Sequence, residues 1–160
     1  MSTKFEGSEK QRLALDLFIK LERASNSVSY RINSFIVESG LTVSQFGTLE
    51  VLHHLGPLHQ NEIGEKLLKT GGNITMVVDN LQKRDLVKRI RSKEDRRYIK
   101  IHLTDKGQEL VSRIFPEHVN HIEHEMSVLD VEEQKQLNAL LRKLGKGAEE
   151  KTKKEKEQNR

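Results

Sequence analysis

Between Gly71 and Leu81, polar side chains of the kind that read nucleic-acid base edges alternate with apolar ones at helical spacing. Ile74, Val77, Val78 and Leu81 fall at i, i+3, i+4 and i+7, the buried stripe of an amphipathic helix. Asn73, Thr75, Met76, Asp79 and Lys83 occupy the opposite face. Asn and Thr can donate to or accept from base edges, and Met can lie against a thymine methyl. Just upstream, Thr70, Gly71 and Gly72 would present backbone N–H groups at a helix N-terminus, where the helix dipole favours a phosphate. Just downstream, Val87 to Leu103 reads as two strand-like runs joined by a charged turn. From Lys83 to Lys100 there are nine Lys or Arg against three acids, whereas Glu117–Gln134 holds six acids and no Lys or Arg. Only one part of the molecule is suited to meet phosphates.

Those residues need elements to position them. Leu13, Leu17, Leu21, Ala24, Val28, Ile32, Phe35 and Ile36 recur at helical spacing, predicting one helix from about Glu9 to Val37. So long a helix outreaches a compact domain of 160 residues, and its natural use is an arm packed on a second chain. Gly40 ends it, and Thr42 with Gln45 forms a capping box for a helix from Val43 to about Leu55. Gly56-Pro57 breaks that helix, Leu58-His59 suits a short paired strand, and Asn61–Leu68 a two-turn helix. Lys69–Gly72 reads as the turn before a recognition helix over 73–84, which Asp85 closes in a left-handed conformation. Thr104 caps a helix running to about Met126, bent or interrupted at Pro116. Asp130 with Glu133 caps a last helix that Gly145 and Gly147 end. The domains expected are therefore a dimerisation arm (1–40), a DNA-binding domain (41–104), two C-terminal helices (105–147) and a disordered charged tail (148–160).

Composition narrows the function. With no cysteine there is no disulfide, thiolate zinc site or thiol switch. No run approaches the ~20 apolar residues of a membrane span and no apolar leader opens the chain, so a cytoplasmic protein is expected. Gly-x-Ser-x-Gly, a P-loop and His-Glu-x-x-His are all absent, which argues against an enzyme or a bound cofactor. His118, His121 and His124, with His53, His54 or His59, leave open a zinc-responsive regulator, although three-residue spacing turns the third imidazole away from the first. A helical adaptor without DNA binding is the other alternative.

Arg91-Ser92-x-x-Asp95-x-Arg97, running into Ile101-x-Leu103-Thr104-x-x-Gly107, resembles the wing signature of the MarR family of bacterial transcription regulators. Ile63-Gly64-Glu65-Lys66-Leu67 and Asn73-Ile74-Thr75-x-x-Val78-Asp79-x-Leu81 resemble the two helices of its helix-turn-helix, and the likeness spans about residues 10–145. It implies a mainly α fold with a small β-wing: a winged helix-turn-helix domain flanked by long N- and C-terminal dimerisation helices. It implies a homodimer on a pseudo-palindromic operator, usually a repressor, released by a small and often aromatic effector. Arg97 would reach the minor groove from the wing tip, braced by Asp95, while Arg89, Arg91, Lys93 and Arg96 would touch phosphates. Tyr30, Phe46, Leu49, His53 and Phe115 would line the effector pocket.

Overall fold

The computed structural model of the protein describes residues 5–68, 71–91 and 98–158, with side chains as far as residue 147. Along the chain these form α1 (Glu9–Glu38), α2 (Val43–Leu55), β1 (Leu58–His59), α3 (Gln60–Lys66), α4 (Gly71–Lys83), β2 (Val87–Arg91), β3 (Ile99–Leu103), α5 (Asp105–Met126) and α6 (Val131–Gln158). Two compact units result, residues 1–121 and 122–160.

Local chemistry sets the ends of the helices in the first unit. Ser8 and Gln11 form a capping box at the start of α1, and Thr42 and Gln45 form one at the start of α2. Gly40, at φ 76°, turns the chain out of α1 while its N–H donates to Val37 and that of Leu41 donates to Ile36. This double closure is available cheaply only to a residue free of the Cβ penalty at positive φ. Asp85 performs the same closure after α4 at φ 58°, with Asp85 N–H donating to Gln82 and Leu86 N–H to Leu81.

The core of this unit joins α2, α3, α4, the sheet and α5 through Leu49, Leu52, Ile63, Ile74, Val78, Leu81, Leu86, Val87, Ile101 and Val111. Ile36 is the buried residue of α1, while Leu13, Leu17 and Phe18 stand exposed along the same helix. The sheet is antiparallel in the order β1-β3-β2, with Leu58 opposite Ile101 and Val87 opposite Leu103. Strand alternation then puts Val87, Arg89 and Ile101 towards the core and Lys88, Ile90, Lys100 and His102 on the outer face.

A tight junction fastens α5 to the end of α4. The Thr104 hydroxyl donates to the Asp85 carbonyl (2.7 Å) and accepts from Gly107 N–H (3.1 Å), and Thr104 N–H donates to Leu86 (3.1 Å). A Cβ at Gly107 would lie 2.0 Å from the Leu86 carbonyl oxygen, so the Leu-Thr-x-x-Gly pattern is a steric requirement of this crossing.

Two sequence expectations need correction. Gly71 and Gly72 open α4 instead of forming the turn before it, and neither has positive φ. Pro116, expected to bend or interrupt α5, lies within a helix that runs from Asp105 to Met126. In the second unit α6 runs through Gly145 and Gly147 to Gln158, so the helix does not stop at 147, and the tail expected from 148 is helical to 158. A helical glycine costs only about 1 kcal/mol relative to alanine, and the Lys- and Glu-rich run that follows consists of good helix formers. The Asp130–Glu133 capping box at the start of α6 is present, both bonds at 2.9 Å. Leu137, Leu140, Leu141 and Leu144 stand exposed along that helix. Among the described residues no helix is long and apolar enough to cross a membrane.

Candidate nucleic-acid interface

Helix α4 divides as its sequence requires. Ile74, Val78 and Leu81 are fully buried, and Asn73, Thr75, Met76 and Lys83 are exposed. Burying three branched side chains against α2 and α3 fixes which face is left outward. Met76 is 60% exposed, an apolar side chain held in water by the fold.

Thr75 is more occupied than its sequence position suggests. Its hydroxyl donates to the Gly71 carbonyl (3.1 Å) and accepts from the Gln60 amide (2.7 Å), so it ties the start of α3 to the first turn of α4. A Cβ at Gly71 or Gly72 would meet nothing within 4 Å. Nothing in the surrounding described structure therefore selects glycine there, and the open space lies at the helix N-terminus.

Arg89 belongs to the fold as much as to any ligand. Its guanidinium reaches Asp79 at 2.6 Å and also donates to Gln82, two acceptors one turn apart on α4. A planar fork matches such a pair, and it binds β2 to the recognition helix. Arg84, next to the closing turn of α4, donates to the Gly40 carbonyl (2.9 Å) and fastens that turn to the α1–α2 corner. Neither tie was visible in the sequence, because the partners lie up to 44 residues away. Arg91, the last residue of β2, is exposed. Thr70, Lys93, Asp95, Arg96 and Arg97 lie outside the described residues.

Residues 39–97, which run from the end of α1 through α4 into the wing, match the family model for the MarR family. Over 137 residues the chain is 38% identical to the HTH-type transcriptional regulator MhqR of Bacillus subtilis (strain 168), covering 86% of this chain and 94% of that protein. The chain belongs to the MarR family. Solved MarR-family folds superpose on it, among them a mutant MarR from E. coli in complex with operator DNA (TM-score 0.75, 19% identity, 86% of this chain and 99% of that one). BpsR of Bordetella bronchiseptica, whose DNA binding is regulated by 6-hydroxynicotinic acid, also superposes (TM-score 0.73, 24% identity, 81% of this chain and 98% of that one). MarR-family proteins are DNA-binding transcriptional regulators and not enzymes, and this chain is such a regulator with the winged-helix fold.

The residues expected to line an effector pocket in this MarR-family chain differ in exposure. Phe46 and Leu49 are core, Tyr30 is 80% exposed on α1, and His53 and Phe115 have ring centroids 6.3 Å apart. The Gln108 amide reaches His53 Nδ1 at 2.7 Å. The three histidines of α5 do not converge. His118 packs edge-on against Phe46 and His121 stacks on Phe35, each at 4.7 Å. Among the described residues no three His, Cys, Asp or Glu are grouped to hold a metal.

His118 has no sequence signature beyond its spacing, yet it is buried and its Nδ1 has no hydrogen-bond partner among the described residues. Burial pushes its pKa below the ordinary 6.5; Glu50 opposes the shift and His121 adds to it. The folded protein therefore binds a proton here less readily than the unfolded chain. Stability is fully present above pH 6.5 and is lost as pH falls through 6.5 towards the lower folded value. The thermal midpoint is expected to drop between pH 7.5 and 5.5, and His118→Phe to drop less. An equal drop in both proteins would remove His118 as the cause.

Proposed function

We propose that the protein is a homodimeric, sequence-specific repressor that binds a pseudo-palindromic operator through α4 and the wing. The observation that carries this is the exposed Asn73, Met76 and Lys83 face of a helix whose other side is core, with the basic β2–β3 hairpin tied beside it through Arg89. A major groove about 12 Å wide admits such a helix. Gly71 and Gly72 leave room for a phosphate at its N-terminus, alongside Thr70, and Arg91, Lys93 and Arg96 supply further phosphate contacts. Arg97, braced by Asp95, enters the minor groove.

Dimerisation is supported by the apolar residues that each unit leaves uncovered, Leu13, Leu17 and Phe18 on α1 and Leu137 to Leu144 on α6. Effector release is supported by the orphaned His118 Nδ1 beside Phe46, a hydrogen-bonding group in an aromatic setting that suits a small aromatic acid or phenol. Such a ligand needs a coupling of only about 1–3 kcal/mol to weaken DNA binding roughly 5- to 150-fold.

Arg97→Ala is the test. The variant is expected to lose about 10- to 100-fold in operator affinity, on the order of 1–3 kcal/mol for a base-directed side chain, with the dimer intact by sedimentation. Wild-type affinity in a gel-shift titration sinks the wing assignment.

A further inference from the structure

The outer face of the wing sheet carries Lys88, Lys100 and two histidines, and no acid among its described residues. Lys88 stands directly opposite His102, and Lys100 opposite Ile90 on one side and His59 on the other. Directly opposed residues have Cβ atoms roughly 5 Å apart, so Lys88 and Lys100 each lie close to an imidazole across the ladder. Neither lysine has an ion-pair partner among the described residues. The apolar members of the same face, Ile90 and Tyr98, are 41% and 56% exposed, and His59 and Tyr98 have ring centroids 5.5 Å apart. A surface that concentrates cations around exposed apolar groups, without acids among its described residues, is complementary to an anionic partner.

We propose that this outer face, through Lys88, Lys100 and His102, is a second DNA contact that takes backbone phosphates flanking the sequence read by α4. The proposal rests on the DNA-binding reading above and adds residues which that reading does not use. Continuity favours DNA over an acidic protein. The inner face of β2 is fixed to the recognition helix by Arg89, so the outer face travels at a set angle to α4 and to the same duplex. The two faces of one strand then divide the work, the inner setting the angle and the outer meeting phosphate.

His102 gives the contact a second signature. Burial holds its pKa below the ordinary 6.5, and Lys88 across the ladder and Lys100 on its own strand push it the same way. A phosphate placed between these groups offsets the two cations and favours the protonated imidazole, so DNA binding takes up a proton here.

The experiment uses the full chain and a duplex that the wild type selects from a random-sequence pool. One version ends at the selected inverted repeat and the other extends about ten base pairs, one helical turn, on each side. On the extended duplex Lys88→Gln/Lys100→Gln is expected to flatten the slope of log K against log salt by about 1.8 per protomer, from roughly 0.9 per phosphate contact. On the short duplex the two proteins are expected to converge. Wild-type binding to the extended duplex should tighten from pH 7.5 to 5.5 by more than that of His102→Gln. Lys88 and Lys100 are exposed and His102 is partly buried, and an unchanged thermal midpoint shows that the variants are folded. Equal affinity and slope for wild type and double variant on the extended duplex overturns the proposal and leaves the face to an acidic protein partner. Failure of the wild type to select any duplex would instead overturn the DNA-binding reading itself.

Discussion

Gly107→Ala is expected to lower the unfolding free energy by about 3 kcal/mol, the upper part of the range for overpacking a tight interior. The added methyl would sit 2.0 Å from the Leu86 carbonyl oxygen and 2.9 Å from its carbon. Both are backbone atoms, so no side chain can rotate away and the first turn of α5 must move. That movement strains the Thr104 bonds to Asp85 and Leu86, whose carbonyls lie at the turn closing the recognition helix. Chemical denaturation measures the loss, and operator affinity should fall with it, because the end of α4 is no longer held. A midpoint within experimental error of wild type would show that the crossing yields more easily than its geometry suggests.

Arg89→Ala is expected to weaken operator binding about tenfold or more and to leave the salt dependence unchanged. The side chain of Asp79 is 47% exposed, and the guanidinium of Arg89 holds it at 2.6 Å. Without that partner a bare carboxylate stands on the helix offered to the major groove, repelled by phosphates, and β2 loses its tie to α4. Arg89→Lys restores little, since an ammonium cannot bridge Asp79 and Gln82 with a planar fork. Global stability should change little, as partly exposed ion pairs contribute modestly. A loss of slope near 0.9 per protomer would show that Arg89 reaches a phosphate after all.

The contrast between Arg89 and Asp85 shows where sequence reasoning stops. Asp85, the capping boxes at Thr42 and Asp130 and the apolar stripe of α4 depend on neighbours within a few residues or on periodicity, and each is present as expected. Arg89 looked like one more cation in a basic run until the fold placed Asp79 beside it. Gln60 carried no signal, because its role exists only once Thr75 lies fifteen residues away on the next helix. His118 was noticed for its spacing as a metal ligand, and packing against Phe46 gave it another environment. The helix ends misjudged at Gly71 and Gly147 are places where a glycine is tolerated within a helix, which composition cannot distinguish from a stop.

The ladder between β2 and β3 also limits how this wing can change in length. Each step along a strand reverses a side chain, so inserting one residue within β3 would turn Lys100 and His102 towards the core and Ile101 towards water. Insertion of two residues restores the alternation beyond the altered point. An odd insertion in the paired part of this hairpin therefore needs a bulge to restore the alternation, while at the α5 end the crossing of Gly107 over Leu86 leaves no room even for a Cβ.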